Sequence, residues 1–366
     1  IIKFTLLKYE NFMKKFKIGN TLISDKSKTY FIADIGANHD GSLLRAKKLI
    51  KLCAESGANA AKFQHFKAET IVSKFSFDNM KRSAHQSNWK SSVYDVYKKA
   101  SINTLWTKEL RKECKKYKIN FFTSPYDLDY VDKVEPYVDA YKIGSGDITW
   151  KDILIKISKK KKPIIIATGA SDLKEVIRAY KILKKNKKLV MMQCNTNYTG
   201  HEENFNNINL NVLRTFKKIF KNEVLLGLSD HTPGHATVLG AVTLGARVIE
   251  KHFTDSNTRI GPDHSFSMNP ASWSEMVFET RRLEKSLGDG VKKVEKNEKK
   301  SSIVQRRSIK AKTDLKKGTY ISKNNIIFLR PCNKNDIDPF NYKKILNKKL
   351  IKNLKKGESI TWKKIY

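Results

Sequence analysis

Eight short apolar runs, each followed by a stretch with helical spacing, constrain this chain more than any other feature. From residue 30 to about 287 the runs read YFIADIG, ANAAKFQ, INFFTSP, VDAYKIGSG, PIIIATG, LVMMQCN, VLLGLSD and ARVIEKH. The first helical stretch puts Ala46, Leu49, Ile50, Cys53 and Ala54 on one face and stops at Gly57, a residue that readily caps a helix end. The last enters through Asn269-Pro270 and aligns Trp273, Met276, Val277, Thr280 and Leu283, as a proline at the first helical position allows. Eight β/α units in succession predict an α/β fold, a closed (β/α)8 TIM barrel rather than an open sheet.

The barrel accounts for residues 29–287 of 366. Residues 73–101, rich in serine, lysine and aromatics, read as a long insertion after the second strand, the kind of segment that forms a lid. Residues 288–304, GDGVKKVEKNEKKSSIV, read as a linker. Residues 305–366, with short β-like pieces between glycine and asparagine turns, predict a small β-rich domain. Residues 1–28 read as an N-terminal extension. The sequence does not open on methionine, so Met13 is a candidate start and residues 1–12 are set aside.

Net charge is +37, which raises the question of a nucleic-acid or anionic-membrane surface. The excess is lysine scattered through KKNKK, SKKKKP and NLKKGES, not an arginine stripe interleaved with aromatics. We therefore expect a solvated basic surface, with no nucleic-acid partner, and a field that favours anionic substrates. No apolar run reaches the roughly 18 residues of a membrane span, and no signal-peptide pattern opens the chain. The four cysteines, Cys53, Cys114, Cys194 and Cys332, form no C-x-x-C pair, which points to a reducing cytoplasm rather than a disulfide framework.

A TIM barrel carries its chemistry at the carboxyl ends of its strands. His231 and His252 each stand just past such an end, on neighbouring strands. Two imidazoles there could hold one divalent metal and leave its other positions open. Alternation puts Ala60, Lys62 and Gln64 on one face of the second strand, and Ala140 and Lys142 on one face of the fourth. A lysine inside an apolar strand is rarely left unpaired, so the two suggest a phosphate or carboxylate ligand. Ser124, Thr168, Thr196 and Ser229, at other strand ends, could add neutral donors, or simply cap the next helices. Acids stand at strand ends too: Asp34, Asp147, Asp230, Glu250 and Asp263. Asp34 could donate a proton or hold a reacting water, and Glu250 could serve as partner to an interior lysine. His39 is expected to cap the first barrel helix. His65, His85, His201, His235 and His264 carry no spacing argument.

These motifs together resemble the sialic acid (N-acetylneuraminate) synthases and their legionaminate and pseudaminate relatives. The matching strings are ADIGANHDGS, AAKFQHF, FFTSPYD, AYKIGSGD, IIATGAS, GLSDHT, IEKHFTD and GPDHSFSMNP, with RRSI and FLRP in the tail. The likeness runs from about residue 29 to 366. It implies a TIM barrel joined to a C-terminal SAF (antifreeze-like) domain, and the condensation of phosphoenolpyruvate with an N-acylated amino-sugar aldehyde. The resemblance implies that His231 and His252 hold the metal, usually manganese, with magnesium or cobalt as alternatives. It places Lys62, Ser124, Lys142, Ser145, Thr168, Thr196 and Ser229 at phosphoenolpyruvate, and Gln64, Tyr198 and Asp263 near the sugar. Arg330, in FLRP, matches an arginine lent to a partner subunit's sugar site, which implies a domain-swapped homodimer.

The chain departs from that pattern at Asp34 and Asp147, where members usually carry Glu. Each change keeps the charge and shortens the arm by one methylene. A carboxylate withdrawn by roughly 1 Å can cost about 100-fold in rate unless the backbone compensates. Either acid could position the water that adds to phosphoenolpyruvate. Two alternatives stand beside this reading: a barrel that condenses phosphoenolpyruvate with an aldose phosphate, of the octulosonate or heptulosonate type, and a basic nucleic-acid-binding protein.

Overall fold

In the computed structural model, which describes residues 14–80, 86 and 89–366, alternation along the apolar runs sorts side chains into two cores. Residues 1–12, Met13 and His85 lie outside the described residues. The eight runs form strands β3 (Tyr30–Asp34), β4 (Ala60–His65), β5 (Asn120–Pro125), β6 (Ala140–Ile143), β7 (Ile164–Ala167), β8 (Leu189–Cys194), β9 (Leu225–Asp230) and β10 (Ala246–His252). Each pairs in parallel with the next and β10 closes onto β3, so the barrel read from the alternation is the one that forms. Inward residues Tyr30, Ile32, Ala60, Phe122, Ala140, Ile165, Val190 and Val248 pack on each other inside it. Their neighbours Phe31, Ala33, Ala61, Phe63, Phe121 and Tyr141 face out to the helices.

Those helices are α1 (Leu43–Glu55), α5 (Trp106–Lys116), α6 (Leu128–Val134), α7 (Lys151–Ser158), α8 (Leu173–Leu183), α9 (Val212–Phe220), α10 (Ala236–Thr243) and α11 (Pro270–Ser286). Helix α1 buries Ala46, Leu49, Ile50 and Cys53 and ends before Gly57. Its cap is Ser42, whose Oγ accepts from Arg45 N–H at 3.3 Å, and not His39 as expected. His39 instead buries its ring edge-on to Trp106, and its Nδ1 accepts from Gly41 N–H at 3.1 Å. At α11, Asn269 and Ser272 form a reciprocal capping box ahead of Pro270, and Trp273, Met276 and Thr280 are buried.

Part of the expected N-terminal extension is a hairpin, β1 (Lys15–Ile18) with β2 (Thr21–Ser24). Phe16, Ile18 and Ile23 join the barrel's inner cluster, and Asn120, the first residue of β5, donates to Ile18 O at 3.2 Å. The hairpin therefore closes the amino-terminal end of the barrel as its floor. Its two-residue turn needs Gly19 twice over. The backbone there has φ +55°, and a Cβ would overlap the Asn120 side chain.

The insertion between β4 and α5 holds three short helices, α2 (Ala68–Ile71), α3 (Lys74–Asp78) and α4 (Val93–Ala100). Ala68, Val72 and Val93 form a small core of their own beneath Ile71, Trp89, Tyr94 and Tyr97.

The chain divides into two compact units, Ile1–Gly288 and Asp289–Tyr366. In the second, α12 (Ser301–Val304) lies within the stretch expected to be a linker, and Cys332 N–H donates to Ile303 O at 3.0 Å. Strand β11 (Ser308–Ala311) pairs antiparallel with β12 (Ile326–Leu329), and α13 (Tyr342–Ile345) follows. Ile309, Ile321, Ile337, Ile345, Leu350 and Ile360 form its core. No described helix is long and apolar enough to cross a membrane, and all four cysteines are free.

Candidate active site at the carboxyl mouth of the barrel

Strand alternation carries the inward face from an apolar interior to a charged mouth within two residues. On β4, Ala60 packs inside while Lys62 and Gln64 reach the carboxyl end. Lys62 Nζ lies 2.6 Å from Asp34 Oδ2 and 3.9 Å from Glu250 Oε1. Lys142 Nζ, on β6, lies 3.1 Å from the same Glu250 oxygen. The four charges alternate across the barrel, Asp34–Lys62–Glu250–Lys142, and all are at most 5 % exposed. Glu250 thus takes the lysine-partner role that the sequence left open.

Burial opposes every charge in this row, and the row answers it. Burial alone would raise Asp34. Lys62, His252 and Lys142 outweigh it and hold the carboxyl down at about 2. Burial pulls the Lys62 ammonium down, and Asp34 and Glu250 lift it above the ordinary lysine value. Asp34 is also fixed by Gly36 N–H at 3.0 Å and Gln64 Nε2 at 3.2 Å. Asp147 is its opposite. It stands in the turn after β6, and burial pushes its carboxyl up to about 6.

His231 and His252 come together, their ring centroids 5.5 Å apart. His231 Nδ1 lies 2.8 Å from Asn195 O. A carbonyl only accepts, so the proton sits on Nδ1 and Nε2 keeps its lone pair. Burial and the neighbouring His252 pull His231 down to about 3, which keeps it neutral. His252 Nε2 is 3.4 Å from Asp34 Oδ2, and its Nδ1 is 3.7 Å from Asp263 Oδ2. That Nδ1 is buried without a hydrogen-bond partner, as are Ser124 Oγ and Glu250 Oε2. Among the described residues no three His, Cys, Asp or Glu side chains gather to hold an ion. The chain therefore offers two imidazoles, one with an orphaned nitrogen. That donor set fits a dication completed by substrate and water rather than a closed protein cage.

Two groups outside the cavity hold this mouth in shape. Lys251 Nζ, fully buried, pairs with Asp230 Oδ2 and donates to Thr232 O at 2.6 Å. Asp230 also accepts from the hydroxyls of Thr232 and Thr237, each at 2.8 Å. Each partner of this ion pair immediately precedes one of the two histidines. Across the mouth, His264 sits between Thr254 Oγ1 (2.7 Å) and Asp40 Oδ1 (2.9 Å). This pins the loop that carries Asp263, whose Oδ2 accepts from Ala37 N–H at 2.9 Å. Gly36 has φ +49°, and a Cβ there would lie 2.6 Å from Asp263 Oδ2.

These groups line a cavity of about 370 Å³. Asp34, Lys62, Gln64, Lys142, Ser145, Asp147, Tyr198, Ser229, His231, His252 and Asp263 face it. Ser229 Oγ donates to Glu250 at 3.1 Å, and Ser145 Oγ accepts from Gly169 N–H at 3.0 Å. The Tyr198 ring lies 4.3 Å from that of His231. Ser124, Thr168 and Thr196 do not line the cavity, and the Thr168 hydroxyl donates to Met192 O at 2.9 Å. Arg330 belongs to the second unit, exposed at the end of β12. The sequence reading missed Tyr126 and the lining contributed by the insertion, Phe66, Ile71, Trp89, Val96, Tyr97 and Ala100. Their signal in the sequence was the aromatics of FKAETI and VYDVYKKA, Trp89 in NWK and Tyr126 in SPYD.

Comparison with known proteins follows the same division. The NeuB family profile matches residues 49–292, and the SAF domain profile matches 306–365. An N,N'-diacetyllegionaminic acid synthase of Campylobacter jejuni is 39% identical over 341 residues, covering 91% of this chain and 99% of the relative. A pseudaminic acid synthase of the same species is 32% identical over 350 residues, covering 94% and 98%. The crystal structure of an N-acetylneuraminic acid (sialic acid) synthetase from Leptospira borgpetersenii superposes with a TM-score of 0.69 at 29% identity, covering 79% of this chain and 95% of that one.

Proposed function

The chain belongs to the NeuB family, with a C-terminal SAF domain, and we propose that it condenses phosphoenolpyruvate with the aldehyde of an N-acylated amino sugar, giving a nonulosonic (sialic-type) acid and phosphate. The observation that carries this reading is the pairing, in one cavity, of two buried lysines with two adjacent imidazoles. Lysines suit a small dianion, and imidazoles suit a dication beside it.

Lys62 and Lys142 bind the phosphate and carboxylate of phosphoenolpyruvate and hold its C3 against the sugar's aldehyde carbon. A divalent cation held by His231 and His252, manganese in preference to magnesium or cobalt, would supply Lewis-acid polarisation of the aldehyde oxygen. Carbon–carbon bond formation leaves positive character at C2 of the former enol. Asp147, beside which no described cation stands, holds the water that adds there and takes its proton. Asp34 fixes Lys62 and the Nε2 edge of His252, so it serves as a positioning residue. The adduct then breaks its C–O bond and releases phosphate.

The SAF domain separates this reading from condensation with an aldose phosphate on a bare barrel. We place Arg330 at the sugar site of a partner subunit, in a domain-swapped homodimer. Arg330→Ala is then expected to raise the sugar KM by about tenfold, the loss of one charge-assisted contact, with the phosphoenolpyruvate KM unchanged. A sugar KM that stays put counts against that placement. The reaction itself is tested by mass spectrometry of products from phosphoenolpyruvate, a dication and a panel of N-acylated hexosamines. A new acid with the summed mass of both substrates and one water, less phosphoric acid, is expected; phosphate release without any N-acylated acceptor would reject the reading.

A further inference from the structure

We propose that the amino-terminal face of the barrel docks on an anionic lipid surface, leaving the substrate cavity at the opposite end free. This goes beyond the condensation reading and does not depend on it.

Along the chain the lysine excess is scattered, but the barrel gathers part of it. Every segment that enters a barrel strand lies at the same end, and the β1–β2 hairpin closes that end. SKKKKP enters β7 and KKNKK enters the adjacent β8, while KKIFK leads into β9 beside them. Before β7, Lys159 and Lys161 are exposed. Before β8 all four lysines of KKNKK are exposed, and before β9 so are the three of KKIFK. Hydrogen bonds fix these entrances side by side. Asn186 Nδ2 donates to Lys160 O at 2.9 Å and to Lys162 O at 2.8 Å, and Lys188 Nζ donates to Lys161 O at 3.2 Å. The Tyr180 hydroxyl donates to Glu223, which ties α8 to the entrance of β9. The hairpin joins the same patch, since burial and the neighbouring Lys187 together pull the Lys14 ammonium down. On the hairpin's outer side Lys17 is the register partner of Leu22, and both are exposed.

Ion pairing sets this face apart. On α1 and α5 of the same basic chain, Lys47, Lys48, Lys51, Lys112 and Lys116 each have a carboxylate at 2.9–3.8 Å. At the three entrances the described pairs are those of Lys156 and Lys160 with Asp132 or Glu135. None of the exposed lysines there, nor Lys15 or Lys17, is in a described ion pair. Like charges held this close repel one another, and a plane of negative headgroups removes that cost. The side chains favour lipid over nucleic acid. Lysine is a point charge without the planar fork that grips a phosphate bidentately. The large apolar side chains exposed in these segments are Leu22 and Ile219. Neither can stack on a base, and both can enter the headgroup layer.

Sedimentation with phosphatidylcholine vesicles, with or without about 30 mol% phosphatidylglycerol, at about 0.1 and 0.5 M salt, tests the docking. The full chain is expected to bind the anionic vesicles at low salt, to leave them at high salt, and to ignore phosphatidylcholine alone. The triple variant Lys184→Gln, Lys187→Gln, Lys217→Gln should lose at least about tenfold in partition coefficient, because each lysine near such a surface contributes about fivefold. Lys98→Gln, Lys99→Gln, Lys108→Gln removes the same charge at the mouth end, from exposed positions on α4 and the first turn of α5. That triple should lose less than about threefold, since screening confines the effect to charges near the surface. Equal losses in the two triples would reduce the effect to total charge and overturn the inference. Failure to bind the anionic vesicles, or equal binding to phosphatidylcholine alone, would overturn it too. If the first triple keeps its vesicle binding and loses affinity for single-stranded RNA, the face belongs to nucleic acid instead.

Discussion

Asp34 and Asp147 are the same residue type at one barrel mouth, and their surroundings divide their labour. Asp34 is held down at about 2 against its burial by two lysines and His252, so it stays ionised and immobile. Asp147 has burial and, among the described residues, no compensating cation, and its carboxyl rises to about 6. Pairs of acids pushed apart in this way mark the group that moves a proton. The sign follows directly. Below about 6 Asp147 is protonated and cannot accept from water, so kcat/KM, which reports the unliganded enzyme, should fall on the acid side of a midpoint near 6. Asp147→Asn should lower kcat by about 100-fold, the range of a general base, and abolish that acid limb. Stability should move the other way. The folded value lies above the ordinary 3.8, so stability is fully present below that value and is lost as pH rises through 6. The Asn variant should match the parent near pH 4 and exceed it by about 3 kcal/mol at pH 7.5. A pH–rate profile and denaturation at those two pH values check both. An acid limb that survives in the variant would move the role elsewhere.

Strands β9 and β10 show how elements, rather than single residues, bring the two histidines together. Asp230 and Lys251 are register partners on the outward face. Their buried ion pair ties together two strand ends that each go on to a histidine. No spacing argument points to it, because Lys251 in ARVIEKH reads as one more lysine in a basic chain. Lys251→Met leaves a buried carboxylate without its cation and should cost about 3–5 kcal/mol. The double variant Asp230→Asn, Lys251→Met removes both charges and should recover most of that loss in chemical denaturation. It should still bind manganese about tenfold more weakly, as loss of an outer support does. A double variant with native affinity would make the pair a stability device only. The barrel strands themselves were legible, because each apolar run is bounded and the inward alternation places Lys62, Gln64 and Lys142 correctly. The β1–β2 floor was legible too, in KFKIGNTLIS, where alternating apolar residues flank a Gly-Asn turn. Set aside as an extension, it was missed. The insertion's share of the lining was legible only as a segment able to form a lid. Nothing in the spacing of an insertion tells which of its faces turns back over the barrel.

At the scale of the whole molecule, the +37 charge has a task the cavity cannot perform alone. Lys62 and Lys142 are matched by Asp34 and Glu250, so the four fixed charges of that row at the mouth sum to zero. Attraction of phosphoenolpyruvate from a distance must then come from the proposed cation and from the field of surface lysines. Only the second is spread over tens of ångströms, and only it is strongly screened, because the Debye length falls from roughly 14 Å to 4 Å between about 0.05 and 0.5 M salt. The phosphoenolpyruvate KM should therefore rise by about three- to tenfold across that range. An uncharged acceptor such as N-acetylmannosamine supplies an internal control, because its KM should hardly move. Steady-state kinetics at fixed saturating manganese, varying each substrate in turn, separates the cases. Equal rises for both substrates would mean that salt acts on the fold or on the cation. A flat phosphoenolpyruvate KM would mean that the cation and the two lysines suffice, and that the basic surface serves something other than capture of this anion.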